Sequence, residues 1–148
     1  MKKYYAVAGI LLFFSMCIVW AWQLRPSVSM TETVSATIAG STFSLEVADT
    51  PELQSRGLSF RNTLAPHTGM LFVFATPGRY RFWMKDMRFP IDIVWLDQNK
   101  RVVHIEHIVT PETYPAVFGP SSDTQYAIEL GAGVVRMLGL SVGDRVDF

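Results

Sequence analysis

The 148-residue chain has one cysteine, three histidines and no excess charge of either sign, with 13 Lys and Arg against 13 Asp and Glu. A single cysteine excludes a disulfide scaffold, and an aromatic content of 13% excludes a disordered tail. Only one long apolar run is present, so the chain is not a protein with several membrane spans. Phosphate-loop, dinucleotide, His-Glu-x-x-His and Gly-x-Ser-x-Gly motifs are also missing, which leaves no signal for nucleotide, metalloprotease or serine-hydrolase chemistry.

The apolar run follows Lys2 and Lys3 and contains 19 uncharged residues, from 4 to 22. As a helix rising about 1.5 Å per residue, it would cross a hydrocarbon core of about 30 Å. Because positive charge precedes the run, we expect residues 1–23 to anchor the chain in the inner membrane, with the remainder exported to the periplasmic side. The alternative is a signal peptide that is cleaved near Ala21 and releases the domain into the periplasm.

The exported part is slightly acidic, because removing Lys2 and Lys3 leaves 11 basic against 13 acidic groups. This balance argues against a nucleic-acid partner. The exported part also contains no cysteine, since Cys17 lies inside the apolar run. Thiol catalysis and thiolate metal sites are therefore excluded there. Residues 23–148 are enough to bury a hydrophobic core without disulfides or structural metal ions.

A polar tether at residues 24–33 precedes a domain over 34–148, for which we predict a mainly β or α+β, compact, barrel-like fold with about eight strands and two short helices. Two β-rich runs around Ala39-Gly40-Ser41 predict a hairpin with a three-residue loop. Asp49 or Thr50, followed by Pro51 and then by Gly57, predicts a helix of two turns.

The rest of the domain alternates β-rich runs with turn signals. Strands are predicted at residues 70–74, 80–84, 91–96, 102–109 and 126–130, with a last strand after a turn at 142–146. A second short helix is predicted at 132–138, closed by Gly139. The segment 110–124 contains three prolines and several apolar residues, and we interpret this long loop as a lid over a site.

Several segments, in order, resemble the motifs of one family. They are Gly57-Leu58-Ser59-Phe60-Arg61, Gly69-Met70-Leu71-Phe72, Phe82-Trp83-Met84-Lys85, Pro90-Ile91-Asp92-Ile93 and Tyr126-Ala127-Ile128-Glu129-Leu130. The chain in this way resembles the domain of unknown function 192 family, small and often exported proteins of bacteria and archaea. Ser59 stands where that family usually has Met, and Asp86-Met87 where it usually has Asn-Thr. The resemblance implies a compact β-rich fold and brings no established activity.

One candidate site surrounds an indole with cations. Strand alternation places Arg79, Arg81, Trp83 and Lys85 on one face of their segment, where an aromatic ring can stack on a ligand and guanidinium groups can hold a carboxylate or phosphate. We add Arg61 to this ligand-binding set. The alternative is that the arginines pair with acidic residues of the domain and that Trp83 belongs to the core.

A second candidate is a pair of carboxylates in apolar strands, Asp92 and Glu129. Asp92 is predicted to share its strand face with Val94 and Leu96, and a buried acid needs partners. Together the two carboxyls could act as general acid and base in a hydrolase of envelope polymers. Structural ion pairing is the alternative.

Metal chemistry is a weaker hypothesis. His104 and His107 lie three residues apart, so a regular strand would place them on opposite faces. A soft set of His67 with Met70, Met84 and Met87 would suit Cu(I), but methionines near aromatic residues also fill gaps in cores. We therefore expect no metal and no cofactor.

Taken together, the sequence favours a membrane-tethered, extracytoplasmic module that binds an anionic or glycan-like ligand, or an envelope protein, without catalysing a reaction. The competing hypotheses are the hydrolase that uses Asp92 and Glu129 and a structural or assembly factor without any concave site.

Overall fold

The structure is a computed structural model, and it describes residues 32–148. The predicted anchor at 1–23 lies outside these residues, as does nearly all of the tether. Within the described part, no helix is both long and apolar enough to cross a membrane.

The described residues form a mainly β domain. It contains two short α-helices, α1 (Pro51–Arg56) and α2 (Val134–Leu138), and a 3₁₀ helix at Pro111–Thr113. The strands are β1 (Thr33–Ile38), β2 (Ser41–Ala48), β3 (Thr68–Gly78), β4 (Phe82–Trp83), β5 (Ile91–Leu96), β6 (Val102–Val109), β7 (Val117–Phe118), β8 (Thr124–Gly131) and β9 (Val146–Asp147).

Seven strands form one sheet in the order β6-β5-β8-β3-β2-β1-β9, and β4 pairs with β7 in a separate two-stranded sheet. All pairings are antiparallel except β2 with β3, which are parallel and joined through α1. The two edge strands of the large sheet approach each other at one end. There the Val102 N–H donates to the Asp144 carbonyl over 2.8 Å, and the Val146 N–H donates to the Lys100 carbonyl over 3.0 Å. The sheet is thereby curved into a half-barrel.

The two faces of the large sheet carry separate hydrophobic clusters. One contains Leu45, Leu71, Val94 and Ile128, with α2 packed against it. The other, which we call the aromatic cluster, is centred on Phe72, Phe74, Met84, Ile93 and Trp95. Alternate residues of each central strand enter alternate clusters, as the pleat of a strand requires.

Asp92 is fully buried and joins three elements. Its Oδ1 accepts the Ile108 N–H over 2.8 Å, and its Oδ2 accepts the Val135 N–H over 2.9 Å. Ile108 has a φ of 51°, so the end of β6 adopts an unusual turn that this carboxylate holds in place. Asp92 therefore fixes β6 and the first turn of α2 onto β5.

Several sequence expectations are met at the level of whole elements. The structure confirms both short helices, the hairpin of β5 with β6, and a cap at Thr50, whose Oγ1 accepts the Leu53 N–H over 3.3 Å. The loop between β1 and β2 has two residues rather than three. Ala39 and Gly40 both take positive φ, 45° and 81°, which suits the tight turn of a twisted hairpin.

Two regions differ from their predicted form. The strand predicted at 80–84 is reduced to Phe82–Trp83, because it pairs only with the short β7. The loop predicted at 110–124 contains the 3₁₀ helix and β7, so part of it is held by regular structure.

We predict that Asp92→Ala destabilises the fold, since two buried backbone N–H groups lose their acceptor. The expected loss in the free energy of unfolding is about 2–5 kcal/mol, measured by chemical denaturation of the full chain in detergent. Asp147→Ala is the control, because Asp147 pairs with Arg145 at the exposed surface and should cost less than about 1 kcal/mol. An equal loss of unfolding free energy in the two variants would contradict the role of Asp92 in holding β6 and α2 onto β5.

Candidate functional site

A groove lies between the turn after α1 and the segment around β4. Helix α1 is fixed to the sheet by Gln54, whose Nε2 donates to the carbonyls of Ala48, over 3.2 Å, and Val73, over 2.8 Å. The helix ends at Gly57, which has a φ of 50°. A Cβ at this glycine would lie 3.3 Å from Glu129 Oε2, so a side chain here would crowd the carboxyl.

The opposite wall is aromatic. The ring of Tyr80 stacks on that of Phe74 with centroids 3.5 Å apart, and the Tyr80 carbonyl accepts the indole N–H of Trp95 over 2.9 Å. Phe82 meets Phe72 edge-on at 4.8 Å. These contacts fix the backbone of the wall, while Trp83 turns outward and is 50% exposed.

The segment that we predicted as a lid is attached to this wall. Val117 pairs with Trp83 and Phe118 with Phe82, in the β4–β7 ribbon. The ring of Tyr114 also meets the indole of Trp83 edge-on, with centroids 5.8 Å apart. The segment therefore extends the aromatic wall.

Glu129 forms the base of the groove, in a cavity of about 340 Å³ that we call the inner cavity. Its side chain is only 5% exposed, and its Oε2 has no hydrogen-bond partner among residues 32–148. Around it lie Arg56, Phe72, Arg81 and Trp83. A buried carboxyl oxygen without a partner is rare in folded proteins, and here it belongs to a residue that lines a cavity.

Burial raises the pKa of Glu129 to about 7, from an ordinary value of 4.5. The Leu58 backbone N–H and the charge of Arg61 act in the opposite direction and lower this pKa less strongly. Near neutral pH the carboxyl is therefore a mixture of a protonated donor and an ionised acceptor.

A second cavity, of about 490 Å³, adjoins the first and is called the outer cavity. It is lined by Phe60, Lys85 and Asp86 and shares Trp83 with the inner cavity. The Lys85 Nζ lies 5.7 Å from the centre of the Trp83 ring, within reach of a cation–π interaction.

The structure separates the five cations and aromatic residues that we predicted as ligand-binding. Arg81 and Trp83 line the inner cavity and Lys85 lines the outer one. Arg61 and Arg79 line neither cavity of the described domain.

The two outlying arginines have acidic neighbours. Arg61 forms a two-fold pair with Glu46, with N–O distances of 2.5 and 2.7 Å. This contact lowers the pKa of Glu46 and raises that of Arg61. Arg79 lies 3.7 Å from Asp123 in an exposed pair. Arg61 and Arg79 therefore pair with acidic residues of the domain, as the alternative interpretation of these arginines expected.

Asp92 and Glu129 do not form a two-carboxylate site. Ile93, not Asp92, is the register partner of Glu129, while Asp92 is opposite Leu130. Directly opposed residues share a face, so the two carboxyls lie on opposite faces of the sheet. Asp92 is on the side of α2, and Glu129 is on the side of the aromatic cluster.

The residues of the metal hypothesis are also separated. Met70, Met84 and Met87 are buried in the aromatic cluster, whereas His67 is exposed and its ring lies 5.2 Å from Phe43, in the other cluster. His104 bonds Glu106 over 3.0 Å. Between residues 32 and 148, no three His, Cys, Asp or Glu side chains are grouped closely enough to hold a metal ion.

Among the groove residues that were not predicted as site residues are Arg56, Gly57 and Phe60. Gly57 and Phe60 belong to the first of the resembling motifs, which was used only to indicate the family. Arg56 carried no signal beyond its position in the last turn of a short helix.

Comparisons with known proteins agree on the fold. A crystal structure of a protein of unknown function from Novosphingobium aromaticivorans matches with a TM-score of 0.75 at 29% identity, covering 84% of this chain and 90% of that one. A candidate transcription regulator from Sinorhizobium meliloti matches with a TM-score of 0.72 at 30% identity, covering 78% and 92% of the two chains.

A curated relative, the UPF0127 protein of Thermococcus sibiricus, is 29% identical over 108 residues. The match covers 70% of this chain and 65% of the Thermococcus protein, so it spans slightly less than two thirds of that relative.

The described domain thus shares its overall fold with proteins that are known from solved structures. The profile of the DUF192 family, described as an uncharacterized ACR, matches residues 34–148, and the chain belongs to that family.

We predict that Glu129→Gln stabilises the protein at high pH. Because the pKa of Glu129 is raised from 4.5 to about 7, the folded state binds the proton more tightly than the unfolded state. Stability therefore falls as the pH rises through this window, by about 3 kcal/mol in total.

The variant should accordingly be more stable than the wild type at pH 8 and similar to it at pH 4.5, measured by chemical denaturation at each pH. Glu32→Gln, at an exposed position, controls for the removal of charge alone. A Glu129→Gln variant that gains nothing at pH 8 would show that the carboxyl is solvated or paired.

Proposed function

We propose that this protein is a non-catalytic binding module for an acidic, glycan-like ligand, held at the groove between α1 and the β4–β7 ribbon. One observation carries the proposal. The groove combines unpaired cations and an exposed indole at its rim with a buried carboxyl oxygen that has no partner at its base, all within residues 32–148.

Charge supports an anionic ligand. Among residues 32–148, the salt bridges found do not include Arg56, Arg81 or Lys85. These three cations surround the rim of the groove in a domain whose overall charge is slightly negative. A guanidinium fork at such a position can hold a carboxylate with two parallel hydrogen bonds.

The aromatic surface supports a ligand with flat, hydroxylated rings. Trp83 is half exposed beside the cavity, and Tyr114 extends the same wall. Apolar faces of sugar rings can stack on such a surface, and a sugar hydroxyl can donate to the ionised Glu129 carboxylate or accept from the protonated carboxyl.

The competing functions have less support. A hydrolase that uses Asp92 and Glu129 together needs both carboxyls at one bond, and they lie on opposite faces of the sheet. A structural or assembly role predicts no concave site, whereas the described domain carries two adjoining cavities.

The location is a separate part of the proposal. Lys2, Lys3 and the apolar run at 4–22 support a single-pass inner-membrane protein whose binding domain lies on the periplasmic side.

We expect Arg81→Ala to weaken binding of uronic-acid oligosaccharides about tenfold, because it removes a charge-assisted contact, and Lys85→Ala to weaken it less, because Lys85 shares the outer cavity with Glu52 and Asp86. Binding is measured by calorimetric titration of the full chain in detergent, with carboxyl-reduced oligosaccharides as the matched neutral ligands. Affinity for the acidic ligand should fall as salt is added, and less steeply in the variants.

Arg79→Ala is the matched control, since it removes the same charge from a position outside both cavities. Unchanged binding in all three variants, or equal binding of acidic and neutral ligands, would refute the proposal. Thermal melting of each variant separates loss of binding from loss of fold.

The membrane location predicts that the full chain sediments with membranes after alkaline carbonate washing, and that protease added to spheroplasts digests the domain. Recovery of the intact domain in the periplasmic fluid would instead indicate cleavage near Ala21. A protected domain would contradict export.

A further inference from the structure

The inner and outer cavities are two parts of one groove. Ser55, Arg56, Ser59 and Trp83 line both of them. From this shared boundary the inner cavity extends down to Glu129, and the outer cavity extends along the surface to Phe60 and Lys85.

Hydrogen bonds between two segments of the chain hold the walls of the outer cavity together. The Phe60 N–H donates to the Asp86 carbonyl over 2.9 Å, and the Ser59 hydroxyl donates to the Lys85 carbonyl over 2.9 Å. These bonds tie the turn after α1 to the chain after β4. Phe60 has a φ of 66°, and its ring remains 55% exposed.

An exposed aromatic ring is therefore present in each half of the groove, Trp83 at the boundary and Phe60 in the outer half. When a ligand covers an apolar ring that the free protein exposes to solvent, apolar area is removed from water and the complex is stabilised. Two such rings in one continuous groove fit a ligand with two consecutive rings.

The charges of the two halves differ. The inner cavity is lined by two arginines, Arg56 and Arg81, and by a single carboxyl, that of Glu129. The outer cavity is lined by Arg56 and Lys85 and by two acidic residues, Glu52 and Asp86. The inner half thus favours an anionic unit, while the outer half is balanced and favours an uncharged one.

We infer that the groove binds two consecutive sugar units, an acidic unit on Trp83 and Arg81 in the inner half and an uncharged unit on Phe60 in the outer half. This inference rests on the proposed function and specifies its ligand as a glycan in which acidic and neutral units alternate. Phe60 is then a specificity residue for the second unit.

The test compares three probes by NMR titration of the full chain in detergent. They are glucuronic acid, a disaccharide of glucuronic acid and N-acetylglucosamine, and a disaccharide of two glucuronic acids. We expect the mixed disaccharide to bind at least tenfold more tightly than the monosaccharide, and the doubly acidic one to gain much less.

Phe60→Ala should abolish the gain of the mixed disaccharide and leave the affinity for glucuronic acid unchanged. Met137→Ala is the control, because Met137 is 72% exposed on α2 and lines neither cavity. It should change neither affinity.

Equal binding of monosaccharide and mixed disaccharide, an equal gain for both disaccharides, or a Phe60→Ala variant that weakens all probes alike would overturn the two-unit inference. The proposed function survives those results if glucuronic acid still binds in a manner that depends on Arg81. Failure of all three probes to bind would overturn both.

Discussion

The pleat of β8 is the constraint on which both the core and the site depend. β8 lies in the middle of the large sheet, between β5 and β3, so its successive side chains from Ala127 to Leu130 point alternately to the two faces that carry the clusters. Ile128 and Leu130 fill one cluster, and the alternate position sends Glu129 into the other. A shift of one residue would bury the carboxyl beneath α2 and expose the apolar residues to the groove.

Burial of this carboxyl gives the groove its chemistry. A carboxyl among Phe72, Phe82 and Leu58 loses its hydration, which raises the pKa of Glu129 to about 7, and one of its oxygens has no partner within residues 32–148. Asp92 is equally buried but accepts two backbone N–H groups, so its role is to hold the fold together. The contrast explains why two acids that look alike in sequence have different roles.

Local chemistry made part of this fold predictable. Thr50, Pro51 and Gly57 bound a helix by capping rules, and alternation correctly placed Asp92 on the face of β5 that carries Val94 and Leu96. Pairings between distant segments were not predictable, because no local pattern indicates that β2 is parallel to β3 or that β7 pairs with β4. The faces of Asp92 and Glu129 follow from the β5–β8 register, which is one of these distant pairings. Ion pairing of the arginines was one of the alternatives, but the acidic partners of Arg61 and Arg79 could not be named from the sequence for the same reason.

The most direct measurement of the central claim is an NMR titration of the Glu129 carboxyl carbon in the full chain, with and without a uronic-acid oligosaccharide. We predict that this resonance titrates with a pKa near 7 in the free protein and moves when the ligand is added, because the unpartnered oxygen then gains a contact. A carboxyl that titrates near 4.5 and does not respond to the ligand would contradict the assignment of the groove as a binding site.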